Sequence, residues 1–303
     1  MKSLSILSTF AIAGAISVSA IAAPERAGDF ALLDQNGDFH QFSKYRNKEA
    51  LVVLSQSNSC AASQSAASKL QDLRAEWEAK NVAFLMINSA QDDLAAIRKT
   101  AQDQGIDLPI LLDSSQLVAE TLSISQAGEV LVLDPQNLSV LYRGPFGDHL
   151  AATLTSAQSD SVQNTMDMDV AGCDLNIVPK ATLASAAPDY ATEVAPIIVE
   201  NCAECHREGG IGPFAMNSHL MLQGWSPMIR EVLMTKRMPP MQVDPAIGHF
   251  DNAAYISNEE LQTLVRWIDA GAPKGAFSAD PLSNLEYQDV KSWQLGEPDF
   301  VVK

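Results

Sequence analysis

The chain has 303 residues, 47% of them hydrophobic, and a formal net charge of −17. That length suits about two domains with packed cores. So acidic a surface argues against nucleic-acid and anionic-lipid binding and suits a basic protein partner.

Residues 1–23 read as a secretory signal peptide. Lys2 supplies a charged start, Leu4 to Ile21 is mostly apolar, and Ala20-Ile21-Ala22 is a small-residue cleavage site. The competing reading is a membrane anchor, which the shortness of the apolar run disfavours. After it, no segment is long and apolar enough to span a bilayer. Removing Lys2 makes the formal charge −18 rather than −17. The expected product is exported, free of the membrane and exposed to an oxidising compartment, where disulfides persist.

Phe30 to Leu33 and Phe39 to Phe42 flank Asn36-Gly37, a strong hairpin signal. Leu51 to Leu54 is a continuous apolar run, predicting a buried strand. Cys60 follows. Ala66, Leu70, Leu73 and Trp77 then recur at helical spacing. Val82 to Ile87 predicts a second buried strand, and Leu94, Ile97 and Ala101 a helix ended by Gly105. Leu108 to Leu112 is strand-like, Val130 to Leu133 and Val140 to Tyr142 form a hairpin pair, and a last helix starts near Asp148. The run from Ser156 to Asn164 is a loop or the end of that helix. This alternation predicts an α/β domain with a central sheet over residues 24–178.

Cys60 stands at a strand-to-helix junction, where the helix N-terminus stabilises a thiolate. Gly172-Cys173 lies beyond the last helix of this domain. Three readings of Cys60 and Cys173 stand open: a structural disulfide, a redox-active pair in which Cys173 resolves Cys60, or two separate thiols or metal ligands. Closing a loop of about a hundred residues stabilises by a few kcal/mol in the chain-entropy model.

Residues 179–188 are rich in alanine, serine and proline and read as a linker. From Tyr190 the pattern is helical, with Val194, Ile197 and Ile198 leading into Cys202-Ala203-Glu204-Cys205-His206. This is C-x-x-C-H, the attachment sequence of a c-type haem. Two thiols bond the haem vinyl groups and the adjacent imidazole takes the iron from one face. A zinc site and a disulfide across the two cysteines are the alternatives. A helix is predicted over Trp225 to Lys236, then Met238-Pro239-Pro240-Met241, then a helix from about Asn258 to Ala270 with a Ser257/Glu260 capping box and a stop at Gly271 and Pro273. Methionine is the soft sixth ligand that raises a haem potential. Met238, in a loop stiffened by two prolines, is the first candidate and Met241 its rival. His219, His249, another methionine or an open site remain. The two histidines are expected on the surface or in loops.

Residues 24–178 resemble the thioredoxin-like redoxins, which include peroxiredoxin-related proteins. The carriers are Val52 to Leu54 ahead of Cys60, Leu108-Pro109-Ile110-Leu111-Leu112-Asp113, Glu129 to Asp134, and Tyr142-Arg143-Gly144. The chain departs from them in three places. Cys60-Ala61-Ala62-Ser63 has serine where thioredoxin has its second cysteine. Ala127 and Gly128 stand where a cis-proline is expected. Val53 occupies the position of the peroxiredoxin proline, with Ser57 in place of its threonine.

Residues 189–303 resemble the all-α, cytochrome c-like domain fused behind redoxin domains in exported bacterial proteins. The carriers are Ala195-Pro196-Ile197, His206 to Phe214, Arg237-Met238-Pro239-Pro240, Trp267 to Pro273 and Gly296-Glu297-Pro298-Asp299. Relatives have tryptophan after the two prolines, where this chain has Met241. Some continue into a copper-dependent monooxygenase domain, and any oxygenase activity is expected to need a separate polypeptide.

Export and the haem motif point to a periplasmic, Gram-negative electron-transfer protein with one covalent haem c, its degenerate thioredoxin-like domain serving docking or redox coupling. Its partner would be a basic redox protein, of the copper monooxygenase type in one version. The alternative is a haem-coupled thiol-disulfide or peroxide reductase using Cys60 and Cys173. A copper-holding module is a third reading, with no dense His/Met cluster behind it.

Overall fold

The computed structural model describes residues 25–159, 165–178, 182–183, 186–244, 248, 255–286 and 300. The signal peptide, His249 and the Gly296 to Asp299 stretch lie outside the described residues.

Strand β1 (Glu25–Arg26) precedes the expected hairpin of β2 (Ala31–Leu33) and β3 (Phe39–Gln41), registered with Ala31 opposite Gln41. Every residue of β4 (Ala50–Gln56) is buried, as the apolar run requires of a central strand covered on both faces. After it come α1 (Ala61–Trp77), β5 (Val82–Asn88), α2 (Leu94–Asp103), β6 (Ile110–Leu112) and α3 (Leu117–Thr121). The chain continues through β7 (Gln126–Ala127), β8 (Val130–Asp134), β9 (Ser139–Gly144) and α4 (Asp148–Ala157), then β10 (Met166–Asp167) and β11 (Cys173–Asp174).

The main sheet has the order β1-β9-β8-β4-β5-β6, with β10 also on β9. β4, β5 and β6 are parallel, β8 runs antiparallel to β4, and β9 runs antiparallel to β8. The strand alternation divides the core. Ala50, Val52 and Leu54 face Leu70 of α1, Ile97 of α2 and Leu154 of α4. Leu51, Val53, Leu85 and Leu131 face the other way, into a core that contains α3 and continues to Tyr190, Leu233 and Trp267. The first domain is thus a thioredoxin-like α/β unit, and its second core is shared with the C-terminal part.

No strand occurs among the described residues of that part, whose helices are joined by turns and loops. One π-helical turn (Tyr190–Val194) leads into α5 (Ala195–Asn201), and α6 (His219–Met234) and α7 (Asn258–Asp269) follow. The capping box of α7 is present, with Glu260 N–H donating to Ser257 Oγ and Ser257 N–H to Glu260. Tyr190 organises the centre. Its ring lies against His219, Trp267 and Phe277, and its hydroxyl donates to Asp280 at 2.7 Å.

Two expectations are corrected here. The helix expected over Trp225 to Lys236 begins six residues earlier, at His219, where Ser218 accepts from Met221 N–H. His219, expected on the surface, is 7% exposed and bonds Ala272 O through Nε2, because the helix start turns it into the Tyr190 cluster.

Candidate redox sites

Cys60 is the N-cap residue of α1, and no side chain caps the helix. It is fully buried and bridged to Cys173, 113 residues further on. Cys173 reaches it because β11 pairs antiparallel with β7, Cys173 opposite Ala127 and Asp174 opposite Gln126. Leu175 N–H donates to Ser125 O, and Gly172 N–H to Gln126 Oε1. Gly172 is required there, since a Cβ would lie 2.3 Å from Ala127 O. Gly128, at φ +97°, brings its turn onto the first turn of α1, where a Cβ would lie 3.3 Å from Ser63 N. The Ala127-Gly128 pair thus covers Cys60 where a proline was expected.

Ser63, in the position of a thioredoxin's second cysteine, is buried and does local work. Its hydroxyl accepts from Ser57 N–H at 3.1 Å and donates to Ser55 O at 3.4 Å, tying the β4–α1 loop. Asp113, directly after β6, is named from the sequence only as part of the redoxin resemblance, with no role. It is fully buried and accepts from Ser89 Oγ, Val118 N–H and Ala119 N–H, so it anchors the start of α3. Burial pushes its carboxyl up to about 6 despite these bonds. Its only sequence signal is an acidic residue directly after an apolar run.

The second site lies where α5 ends. Cys202 and Ala203 N–H both donate to Ile198 O, and Cys205 and His206 N–H to Cys202 O, which coils the C-x-x-C-H stretch into a tight turn. Cys202 and Cys205 are free thiols, the first half-buried and the second exposed. Burial pushes the Cys202 thiol up to about 12, with Cys205 and Glu260 adding to it. His206 is buried, and its Nδ1 bonds Phe214 O at 3.1 Å, while its Nε2 has no bond among the described residues. Phe214 stacks on Trp225 with centroids 4.6 Å apart. Gly212 permits this packing, since a Cβ there would lie 2.8 Å from the His206 ring. Ile211, Trp225, Met228 and Met238 leave apolar surface exposed.

This donor set fits a c-type haem. It offers two thiols on one turn and an imidazole whose second nitrogen is already fixed by a carbonyl, as metal-binding histidines require. Met238 and Met241 both lie exposed just after α6, Met241 at 89%. No group of three or more His, Cys, Asp or Glu suited to a metal ion occurs among the described residues.

Comparison with known proteins bears on the first domain. Residues 23–139 match the AhpC/TSA family. That stretch contains Cys60 and supports the redoxin reading of this part of the chain. A hypothetical protein SMc02350 from Sinorhizobium meliloti is 21% identical over 53% of this chain and 97% of its own, with a TM-score of 0.47. Peroxidoxin BcpB from Mycobacterium tuberculosis is 18% identical over 46% of this chain and 98% of its own, at 0.39. A putative thiol:disulfide interchange protein DsbE from Chlorobium tepidum is 15% identical over 46% and 99%, at 0.40. No curated protein matches.

Proposed function

We propose that this is an exported electron-transfer protein whose C-terminal part is a cytochrome c-like domain. Cys202 and Cys205 would hold one haem covalently, and His206 Nε2 and Met238, with Met241 as rival, would ligate its iron. The observation that carries the reading is His206 itself. Its Nδ1 is committed to Phe214 O, its Nε2 has no partner among the described residues, and two free thiols share its turn. When bound, the haem supplies one-electron chemistry. The protein's residues fix the imidazole, shield it with Phe214 and Trp225, and present an acidic surface to a basic partner in the periplasm.

The test is intact mass and colour of the exported chain made with haem-maturation machinery. One tetrapyrrole mass is expected, lost in the Cys202→Ser/Cys205→Ser variant. A colourless wild-type chain would overturn the proposal. Met238→Ala should remove the weak absorption band of methionine-ligated ferric haem, and Met241→Ala should retain it.

The Cys60–Cys173 bridge supports a second reading, haem-coupled thiol-disulfide or peroxide reduction. Cys60→Ser should then abolish turnover of a dithiol or peroxide, and unchanged turnover would end this reading.

A further inference from the structure

The first domain holds a side-chain cluster that neither thiol site uses. Asp34, His40 and Tyr45 come from the hairpin of β2 and β3 and the 3-10 helical turn Phe42–Tyr45 directly after it. His40 Nδ1 lies 2.8 Å from the Tyr45 hydroxyl, and His40 Nε2 lies 3.2 Å from Asp34 Oδ2. Asp34 is 3% exposed, and its other oxygen accepts from Asn36 N–H at 2.8 Å and Asp38 N–H at 2.9 Å. The Asn36-Gly37 turn thus fixes the carboxylate, and the carboxylate fixes the ring. A carboxylate only accepts, so Nε2 carries the ring proton. In the neutral imidazole Nδ1 is then the acceptor, and the Tyr45 hydroxyl donates to it. Tyr45 is half-buried, its ring packed against the core that contains Phe30 and Phe42. Burial, with Asp34 adding to it, holds this phenol above its usual range, so it is protonated at rest.

The geometry points to Tyr45 as a redox-active tyrosine, oxidised by one electron as its proton moves to His40. Oxidised alone, a phenol is left as a strongly acidic cation, so a base already on its hydroxyl lets electron and proton leave together. An outer-sphere oxidant, an oxidised metal complex, takes one electron from the ring and is itself reduced. The Tyr45 O–H bond breaks and the proton bonds to His40 Nδ1. A neutral phenoxyl radical and an imidazolium remain. The Asp34 carboxylate holds that cation through Nε2–H, as the aspartate of a catalytic triad does. An electron returned by a reductant draws the proton back and restores the phenol.

Tyr142 and Tyr190 show what this arrangement adds. Tyr142 donates to Pro145 O at 2.6 Å, and a peptide carbonyl does not take up a proton. Tyr190 donates to Asp280, whose carboxyl is held below its usual range, against burial, by hydrogen bonds from His219 N–H and from Tyr190 itself. Neither acceptor is the base that an imidazole is near neutral pH. All three residues of the cluster belong to the first domain, so the inference goes beyond the haem reading and stands without it.

The experiment uses the full exported chain and photogenerated tris(bipyridine)ruthenium(III), a cationic one-electron oxidant suited to so acidic a surface. The radical is captured with tert-nitrosobutane, a spin trap, and mapped by peptide mass. This mapping needs no variant, and the adduct is expected on Tyr45. Tyr45→Phe should lose the long-lived phenoxyl absorption. His40→Gln keeps a hydrogen-bond acceptor without the base, and should slow oxidation of Tyr45 roughly 10- to 100-fold, with added imidazole restoring part of the rate. An adduct on another tyrosine or on a tryptophan overturns the assignment of Tyr45. Oxidation as fast in the folded His40→Gln chain as in wild type overturns the transfer to His40. No radical, under conditions that oxidise free tyrosine amide, overturns the inference whole.

Discussion

At the residue scale, what the sequence made legible was what sits on one turn. The thiols and imidazole of Cys202 to His206 are contiguous, so their chemistry was readable without a fold. The carbonyl that orients His206 comes from Phe214, eight residues on, and no pattern marks it. Likewise Cys60 and Cys173 are 113 residues apart, and sequence carries no distance between them; the bridge removes the reading as two separate thiols. Asp113 gives the prediction at this scale. Its carboxyl is held near pKa 6 in the fold against an ordinary 3.8. Between roughly pH 4 and 6 the native state therefore binds more protons there than the unfolded chain, and stability falls as pH rises. This group's contribution is fully present below about pH 4 and lost as pH passes 6, a swing on the order of 2–3 kcal/mol. Asp113→Asn should remove that slope. Urea midpoints of wild type and variant, compared at pH 4, 5, 6 and 7, should diverge most in favour of wild type at pH 4. A pH-independent difference would refute the assignment.

At the element scale, α6 shows how local signals misplace a boundary. The sequence predicts this helix from Trp225, two residues before Pro227. In the structure Pro227 sits inside α6, where its missing N–H leaves the Gln223 carbonyl without its helical donor. Ser226 Oγ donates to Gln223 O at 2.8 Å instead, so the break is mended by the side chain next to it. Burial of Leu222, Ile229 and Leu233 then holds the helix through the proline. Ser226→Ala should destabilise by about 0.5–1 kcal/mol. In a Pro227→Ala background, where residue 227 supplies its own N–H, the same change should cost nearly nothing. A urea double-mutant cycle reads this coupling, and additive effects would refute it. By contrast α7, with its capping box and apolar stripe both in sequence, was legible to within a residue. The central strands were legible too, since continuous burial leaves continuous apolar runs. The two-residue strands β7 and β11 were not, because they are set by the Cys60–Cys173 bridge and the fit of Gly172 rather than by composition.

At the scale of the whole molecule, composition and a proline-rich linker suggested two separate units, yet the halves share one core. Leu117 and Ala119 of α3 belong to the same buried cluster as Leu233, Leu264 and Trp267. Polar contacts frame it: Arg266 pairs with Glu120, Gln262 Nε2 donates to Ser115 O at 2.6 Å, and Arg230 reaches Thr121 Oγ1 while gripping Asp269. Lys236, just before the Pro239-Pro240 loop, is also drawn into this region, and burial lowers its pKa against the opposing pull of Asp244 and Asp113. An interface of this kind makes each half part of the other's core, so neither can lose its packing alone without exposing apolar surface on both. Thermal or urea unfolding of the full chain should therefore be one transition. Absorbance of the haem region, if loaded, near-ultraviolet signal from the chain's four tryptophans and far-ultraviolet helicity should superimpose. Glu120→Ala should lower the common midpoint and leave Arg266 short of its partner, costing about 1–3 kcal/mol because Glu120 is nearly buried in the pair. Two separated transitions in wild type, with the Glu120→Ala effect confined to one of them, would show that the halves fold independently and that the shared cluster does not couple them.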